Sequence, residues 1–404
     1  MRVGIKIDAD GQGEISPRGF VAHCDTLHRQ DPTPVPEGAL PAKPPRRMLR
    51  VRSQRCRMRF SNFLFPAAMT AADDGRIIDE TLQEAQLTDA LGYDTIWLAE
   101  HHFDGIVAYV DPISFAAALA VATTRARIGF AVAQMALHHP IRFAEQIALL
   151  DHLSKGRMIV GLGRGTAYNI YDYQGYGIDH TEAQGRFEEA EAIMFEAWKG
   201  QPLDHHGTYF NLKLPELRPG VFTKPHPYVI RASATEHGML DIARKGNPFM
   251  MNVQNNAVTA QRIDLYRQTL REIGLNDATI AAKTDECWVW RNVFVAETDA
   301  EAERIAVPAF IAMHEHRIAM RNRIYVEQQA SILPMPPPGA APPAHAAIEH
   351  ALVCGSPATV AEKLAPLKAT GVGGLIMQFR LGPMTYEQAA NSLTLFNQKV
   401  APEL

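Results

Sequence analysis

The chain has 404 residues, of which 47% are hydrophobic and 21% charged, which is typical of a globular protein built on one large α/β domain with appendages. Its formal net charge of −4 gives no argument for binding nucleic acid or a membrane surface. No apolar run reaches the roughly 18 residues of a membrane helix, and the N-terminus lacks the apolar core of a signal peptide.

Residues 1–57 differ in composition from the rest of the chain. Six prolines lie between Asp31 and Pro45 and prevent a regular helix or a central strand. Seven arginines then follow between Arg46 and Arg59; such runs are usually solvated and disordered, and nucleic-acid contact is the less favoured alternative. We therefore predict a disordered Pro/Arg-rich extension over residues 1–57 and a folded domain over residues 58–404.

From residue 58 onward, apolar runs rich in β-branched and aromatic residues alternate with segments that have apolar residues at helical spacing. We predict strands at residues 58–65, 95–98, 127–134, 158–163, 228–232, 248–253, 287–296 and 374–379. We predict helices at residues 79–91, 112–123, 140–153, 181–198, 235–244, 259–273, 299–325, 357–370 and 385–400, and a small hairpin at 205–212. Eight strands alternating with helices predict a (β/α)8 TIM barrel with insertions; a doubly wound open sheet is the alternative.

A second proline-rich segment interrupts this alternation at residues 331–344. A long loop without its own secondary structure inside a compact domain is usually a mobile lid or a disordered segment. We predict a mobile lid here.

The residues that directly follow the strands should converge at one mouth of a barrel, where such folds place their chemistry. This set is cationic and rich in hydrogen-bond donors, and it comprises Asn62, Glu100, His101, His102, Gln134, Arg164, Ser233, Thr235, Asn252 and Arg380. The set has no metal-ligand spacing, so we expect no metal. The four cysteines form no CxxC pair, which argues against a disulfide framework and favours a reducing, cytoplasmic location.

The predicted strand at 158–163 runs into a glycine-rich turn. Gly161, Gly163 and Gly165 superficially resemble a dinucleotide fingerprint, but no glycine stands at the spacing that the third glycine of that fingerprint requires. We expect instead that the glycines, Gly163 among them, let a planar ligand approach the backbone, with Arg164 offering it a charge. For Arg164 the alternative is a surface ion pair.

A possible anion site follows the predicted strand at 228–232. Ser233 and Thr235 open a helix, and hydroxyls with free amide groups at a helix N-terminus can bind an anion. Arg186 could supply the opposing charge. A cofactor phosphate, inorganic phosphate or a sugar phosphate would each satisfy these groups, whereas plain N-capping is the commoner role of such hydroxyls.

Several motifs occur in the order found in one protein family. They are RFSNFL at 59–64, GYDTIWLAEHHF at 92–103, HPIRFAE at 139–145, LDHLSKGR at 150–157, GLGRG at 161–165 and GSP at 355–357. On these residues the chain resembles the luciferase-like flavin-dependent monooxygenases over about residues 58–404. The resemblance implies a (β/α)8 barrel that binds FMN at the C-terminal ends of its strands. It also implies O2, a small organic substrate and reduced FMN from a separate flavin reductase, and we expect a homodimer.

The resemblance also implies roles for individual residues. His101 matches the active-site histidine, Arg164 the arginine beside the flavin, Arg186 the arginine that binds its phosphate, and Ser233 the phosphate-binding serine, with Thr235 close by. The other cofactor-binding residues we expect are Asn62, Glu100, Gln134 and Gly163. The chain departs from bacterial luciferase at Gly163, where luciferase has a reactive cysteine, and at Ala232, where it has a glutamate, so we do not expect light emission.

These observations predict a cytoplasmic FMN-dependent monooxygenase that uses O2. His101 would act as general acid/base near the reacting edge of the flavin, because the pKa of a histidine is close to neutrality. Within enzymes, the alternative is an oxidoreductase of the same fold that uses the deazaflavin F420. A flavin-binding protein without turnover is the alternative from another class.

Overall fold

A computed structural model describes residues 58–105, 107–165, 170–328 and 344–404. All of these residues belong to one unit that spans Gln54–Leu404. The predicted extension over residues 1–57 and the predicted lid, apart from residue 344, lie outside the described residues.

Eight parallel strands form a closed barrel. The strands of the described chain are β1 (Arg59–Leu64), β2 (Thr95–Leu98), β3 (Arg127–Phe130), β4 (Ala133–Gln134), β5 (Met158–Gly163), β6 (Leu203–His206), β7 (Asn211–Leu214), β8 (Tyr228–Ser233), β9 (Phe249–Met251), β10 (Trp288–Val295), β11 (Leu352–Gly355) and β12 (Gly374–Gln378). Neighbours around the barrel are β1, β2, β3, β5, β8, β9, β10 and β12, and the pairing of β12 with β1 closes it. The predicted (β/α)8 fold is confirmed, and the open-sheet alternative is wrong.

The remaining strands are additions to the barrel. The short β4 pairs with the C-terminal end of β5, and β11 pairs with the C-terminal half of β10. Strands β6 and β7 form the predicted antiparallel hairpin. The predicted strand at 127–134 is therefore two strands, β3 and β4, which both pair with β5. As a result, Gln134 lies directly beside Gly163 at the C-terminal end of β5.

Helices connect and surround the strands. They are α1 (Asp74–Leu91), α2 (Pro112–Ala122), α3 (Pro140–Ser154), α4 (Ile170–Gly175), α5 (Ala183–Ala197), α6 (Glu236–Arg244), α7 (Asn256–Glu272), α8 (Asp277–Asp285), α9 (Asp299–Gln328), α10 (Ala344–Ala351), α11 (Pro357–Ala369) and α12 (Tyr386–Leu395). Several begin where the sequence predicts: the Asp111 carboxylate caps α2, and Pro112 occupies its first turn. The sequence-based prediction omitted α4, α8, α10 and β11, and it extended α12 through the π-helical turn at Phe396–Val400.

Two tryptophans fill the barrel interior. Trp97 and Trp288 meet edge to face with ring centroids 5.1 Å apart, and Trp97 Nε1 donates a hydrogen bond to Ser61 Oγ at 2.9 Å. A Cβ at Gly129 would lie 2.4 Å from the Trp97 ring, so this position tolerates no side chain. The interior is therefore packed solid at this level, as in other barrels of this kind.

Two further observations concern long apolar helices and cysteines. In the described part of the chain, no helix is long and apolar enough to cross a membrane. Cys287 and Cys354 are buried free thiols, whereas Cys24 and Cys56 lie outside the described residues.

Candidate active site at the mouth of the barrel

The C-terminal ends of neighbouring strands bring several predicted residues together. Glu100 and His101 follow β2, Gln134 ends β4, and Arg164 follows β5. Glu100 and Gln134 are almost fully buried, at 4% and 1% exposure. Burial of these polar side chains requires that their hydrogen bonds be satisfied within the protein.

Glu100 is the centre of a buried polar network. Its carboxylate lies 3.0 Å from Nε2 of His102 and 3.0 Å from Nε2 of His138, and it accepts the backbone N–H of Gln134. The amide nitrogen of Gln134 donates in turn to the carbonyl oxygen of Glu100 at 2.8 Å. The network ties the loop after β2 to the segment that follows β4.

The pKa values of the acidic and basic groups in this network are shifted in opposite directions. Burial works against ionisation of Glu100, but the charge of His138 and hydrogen bonds from His102, His138 and Gln134 outweigh it, so the pKa of Glu100 is lowered. Burial likewise works against protonation of His102 and His138, but Glu100 outweighs it and raises the pKa of both. The arrangement thus favours an ionised glutamate between two protonated histidines.

Asp172 on α4 is a second buried carboxylate beside this network. It accepts the backbone N–H of His102 at 3.0 Å and the side-chain amide of Gln134 at 3.2 Å. Burial raises the pKa of Asp172 to about 6, although the charge of His101 and these hydrogen bonds oppose the rise. Asp172 can therefore change its protonation state near neutral pH.

His101 forms a dyad with a buried aspartate. Its Nδ1 lies 3.0 Å from Oδ2 of Asp104, which is 2% exposed. A carboxylate on Nδ1 orients the imidazole and favours the tautomer in which Nδ1 carries the proton. Phe65 packs edge to face against the ring at 5.2 Å, and His316 of α9 lies 3.1 Å from the Asp104 carbonyl. The geometry can therefore deliver or accept a proton at a defined position.

The glycines after β5 are explained by packing within the protein. A Cβ at Gly161 would lie 1.7 Å from the carbonyl oxygen of Phe130, and one at Gly163 would lie 2.5 Å from Cγ2 of Val132. These contacts explain why glycine is required at both positions, and the expectation that a planar ligand approaches the backbone here stays a prediction.

Arg164 lies close to the buried Tyr173. Burial raises the pKa of the Tyr173 hydroxyl to about 12, and the Arg164 charge partly opposes this rise. Tyr173 also donates a 3.4 Å hydrogen bond to the Arg164 carbonyl. Arg164 makes no ion pair with the described residues, so the surface ion pair considered for it is not seen there.

The proposed phosphate residues lie on α5 and at the start of α6. The Arg186 guanidinium lies 5.2 Å from the centroid of Phe210, and its Nε is buried without a hydrogen-bond partner among the described residues. Ser233 Oγ donates to the Thr235 carbonyl at 2.7 Å, and Thr235 Oγ1 accepts the Gly238 N–H at 3.1 Å. Thr235 therefore caps α6, as the alternative interpretation predicted.

Contacts between α5 and β8 place these two groups at the same end of the barrel. The guanidinium of Arg231 on β8 lies 5.1 Å from the Phe187 ring and forms an ion pair with Glu191, both on α5. Helices of a (β/α)8 barrel run back against their strands, so the first turns of α5 lie toward the C-terminal end of β8. Arg186 and Ser233 consequently both belong to the mouth of the barrel.

Asn62 is not brought into the site. Its amide nitrogen donates to Glu84 at 3.0 Å and to Thr88 at 2.9 Å, so the side chain lies between β1 and α1. Side chains alternate along a strand, and the neighbouring Ser61 and Phe63 face the interior. The prediction placed Asn62 correctly along the strand but on the wrong face.

Two further residues of the predicted set have structural partners. The buried Arg380 forms an ion pair with the partly exposed Glu80 of α1 and donates from Nε to the Met384 carbonyl at 3.2 Å. Asn252 Oδ1 lies 3.4 Å from Nη1 of Arg262, which holds it beside α7. Both are therefore occupied in packing helices onto the barrel.

The sequence analysis missed several residues of the site. Asp104 lies three positions after His101 and could have been recognised from that spacing, and His138 follows Gln134 closely. Asp172 carried no such signal, because it lies on the unpredicted helix α4. Among the described residues, no group of three or more His, Cys, Asp or Glu side chains is placed to hold a metal ion. The roles assigned to individual residues stay predictions.

Comparison with known proteins places this barrel and its mouth in a class of oxidoreductases. A family model described as luciferase-like monooxygenase matches residues 58–373. The chain belongs to this family, whose members are oxidoreductases.

Two relatives with assigned names are monooxygenases. The chain is 27% identical to "Limonene 1,2-monooxygenase" of Rhodococcus erythropolis over 61% of its own length and 62% of that protein. It is 27% identical to an alkanal monooxygenase alpha chain of a Kryptophanaron alfredi symbiont over 57% of its length and 63% of that protein. The chain thus spans about three-fifths of the length of these relatives.

Solved structures share the fold at low identity. Monooxygenase RslO1 from Streptomyces bottropensis has a TM-score of 0.71 at 23% identity and covers 85% of this chain and 99% of its own. The oxygenating constituent of 3,6-diketocamphane monooxygenase of Pseudomonas putida, solved with FMN, has a TM-score of 0.68 at 20% identity. The match covers 86% of this chain and 99% of that protein. An F420-dependent tetrahydromethanopterin reductase from Methanopyrus kandleri has a TM-score of 0.61 at 17% identity, and the match covers 86% of this chain and 99% of the reductase. These similarities establish the fold alone.

Proposed function

We propose that the protein is an FMN-dependent monooxygenase that takes reduced FMN from a separate flavin reductase and uses O2 to oxygenate a small organic substrate. The observation that carries this proposal is the His101–Asp104 dyad at the mouth of the barrel, held beside the buried Glu100 network. The names of the related limonene and alkanal monooxygenases support an apolar organic substrate. The homodimer and the cytoplasmic location belong to the same proposal.

The residues at the mouth fit a flavin phosphate. Arg186 has a buried Nε without a partner among the described residues, and the N–H groups of the first turn of α6 suit an anion. Ser233 Oγ lies at the entrance of that helix, and Arg164 offers a second positive charge. These residues would hold FMN, which when bound supplies the reactivity toward O2.

The protein's own contribution is to position a proton and to exclude water. Asp104 fixes the ring of His101, so that the imidazole can hold or transfer a proton at one place. Glu100, through its contacts with His102 and His138, holds the loop after β2 against the segment that follows β4. Phe65, which is 3% exposed and packs on His101, gives that part of the site an apolar wall.

The test is turnover with chemically reduced FMN. The full chain is mixed with reduced FMN, air-saturated buffer and either limonene or decanal, and products are read by mass spectrometry with ¹⁸O-labelled O2. We expect one labelled oxygen atom in the product. The same reaction with reduced F420 in place of FMN should give no product. Turnover with F420 alone, or flavin binding without any product over a broad substrate panel, would refute the proposal in favour of the two alternatives.

A further inference from the structure

Residues 207–210 form the turn between β6 and β7, and Glu189 on α5 holds this turn. Its carboxylate accepts the backbone N–H groups of Thr208, Tyr209 and Phe210 at 3.1, 3.0 and 2.9 Å. Hydrogen bonds from backbone N–H groups to an ionised carboxylate are charge-assisted and stronger than those between neutral groups. The carboxylate therefore fixes the tip of the hairpin against α5.

The surroundings of Glu189 favour its ionised form. Partial burial works against the charge, but the N–H groups of the turn and His205, whose Nε2 lies 3.1 Å from the carboxylate, outweigh it and lower its pKa. Gly207 leaves the space that this approach needs, because a Cβ there would lie 2.0 Å from Oε1 of the carboxylate. At neutral pH the carboxylate therefore acts toward the turn as a hydrogen-bond acceptor alone.

The tip of the hairpin lies against Arg186, the residue proposed to bind the flavin phosphate. The Arg186 guanidinium lies 5.8 Å from the centroid of the Tyr209 ring and 5.2 Å from that of Phe210. Contacts of a guanidinium with aromatic rings at this distance are favourable cation–π interactions. Phe210 is itself buried and meets the ring of His139 edge to face at 5.9 Å. The two rings of the turn therefore restrict the positions that the guanidinium can take.

Helix geometry brings the carboxylate and the guanidinium to the same side of α5. Arg186 lies three residues and Gly185 four residues before Glu189, so all three lie on one face of the helix. Gly185 lets the turn approach this face, because a Cβ there would lie 2.5 Å from the hydroxyl oxygen of Tyr209. The guanidinium keeps capacity for a ligand. Its Nε is buried without a partner among the described residues, and its Nη1 lies 3.5 Å from Glu182, at the limit of a hydrogen bond.

We propose that Glu189 is a positioning residue for the cofactor phosphate: it fixes the turn at residues 207–210, and the turn holds the Arg186 guanidinium in place for the phosphate. This inference rests on the proposed function, because it explains how the phosphate-binding arginine of that function is oriented. Arginine has several rotatable bonds, and holding it in its bound geometry beforehand reduces the entropy that binding must overcome. Glu189 itself would repel a phosphate, since both are negatively charged, so it favours binding through Arg186.

The test measures the affinity of oxidised FMN and of riboflavin for the full chain by calorimetry. Riboflavin lacks the phosphate, so it reports the contacts of the rest of the flavin. Glu189→Gln keeps the size of the side chain but replaces one acceptor oxygen by an NH2 group. Oε1 accepts from Phe210 and Oε2 from Thr208 and Tyr209, so an NH2 group at either place faces a backbone N–H. We expect this variant to bind FMN about tenfold more weakly than the wild type and riboflavin equally well.

A double-mutant cycle shows whether Glu189 acts through Arg186. In an Arg186→Ala background, Glu189→Gln should cause no further loss of FMN affinity, because the side chain that the turn positions is already gone. Gly185→Ala disturbs the same contact with Glu189 intact. Its Cβ displaces the Tyr209 ring, while alanine favours the helix more than glycine does. This variant should also weaken the binding of FMN and leave that of riboflavin unchanged.

Glu188→Gln is the matched control. Glu188 is the exposed neighbour of Glu189 on α5, and it accepts a hydrogen bond from Gln184 Nε2 at 2.7 Å. This control should bind both flavins as the wild type does. Melting temperatures of all variants show whether a loss of binding reflects a loss of folding. If Glu189→Gln melts far below the wild type, the comparison of FMN with riboflavin in Gly185→Ala decides.

The outcomes separate this inference from the proposed activity. Unchanged FMN affinity in Glu189→Gln, equal losses for FMN and riboflavin, or additive losses in the double variant would overturn the positioning role. Calorimetry with oxidised flavins involves no reaction. A chain that shows the selective loss but oxygenates no substrate keeps the positioning role and loses the proposed monooxygenase function. Oxygenation with reduced FMN together with unchanged FMN affinity in Glu189→Gln keeps the function and overturns the role.

Discussion

Replacing Glu100 with glutamine should strongly destabilise the fold. The carboxylate is 4% exposed and is bonded to His102, His138 and the N–H of Gln134. Glutamine keeps the size of the side chain but removes its charge, which leaves two buried imidazoles without the group that favours their protonation. Removing one partner of a buried ionic network costs about 3–5 kcal/mol, and we expect a loss of stability of that size.

The dependence of this loss on pH follows from the direction of each pKa shift. The pKa of Glu100 is lowered from 4.5, so its contribution is present above that value and is lost as the pH falls. The pKa values of His102 and His138 are raised from 6.5, so their contribution is present below that value and is lost as the pH rises through the raised values. The stabilising contributions of all three groups are present between these two pH limits, and the difference in stability between wild type and variant should be largest there.

The measurement is the melting temperature of both proteins at about pH 6 and about pH 9, where wild type and variant should differ more at the lower pH. Glu196→Gln is the matched control. Its carboxylate pairs with Lys199 at 2.6 Å on the exposed face of α5, and an exposed pair of this kind contributes at most about 1 kcal/mol. The reasoning would be refuted if Glu100→Gln cost no more than the control, or if its cost grew toward high pH.

Three other predictions concern the site and the domain boundary. His101→Ala should leave FMN affinity nearly unchanged but sharply lower product per reduced flavin, since general acid–base groups contribute about 10²–10⁴-fold. Release of hydrogen peroxide should rise correspondingly; the exposed His206→Ala is the control, and unchanged coupling would remove His101 from the chemistry. Arg186→Ala should weaken FMN binding by roughly 2 kcal/mol in calorimetry and hardly affect riboflavin, which lacks the phosphate. Equal losses for both ligands would place Arg186 elsewhere. A chain shortened to begin at Met58 should keep its melting temperature and FMN affinity, because β1 begins at Arg59 and is paired on both sides. A large loss of either would show that residues 1–57 contribute to the domain.

Local signals were sufficient for the barrel. Most of the eight barrel strands are short and rich in buried apolar residues, and most helices carry a cap or an apolar face that the sequence displays, such as Asp111 before α2. The omitted elements lacked these signals. Helix α8 buries only Ile280 and Thr284, and α10 with β11 follows the proline-rich segment, where no periodic pattern announces them.

The residues of the site also fall into those that local sequence predicts and those that only the tertiary structure reveals. The sequence alone placed Glu100, His101 and Gln134 at strand ends, because a strand followed by a polar cluster is a local pattern. Only the tertiary structure decided which side chains meet. It turned Asn62 outward beneath α1, joined His138 and Asp172 to the Glu100 network, and brought Arg317 of α9 over Phe65 beside His101. The physical reason is that strand position can be read from neighbouring residues, whereas strand face, burial and contacts with a helix more than 200 residues away depend on closure of the whole barrel.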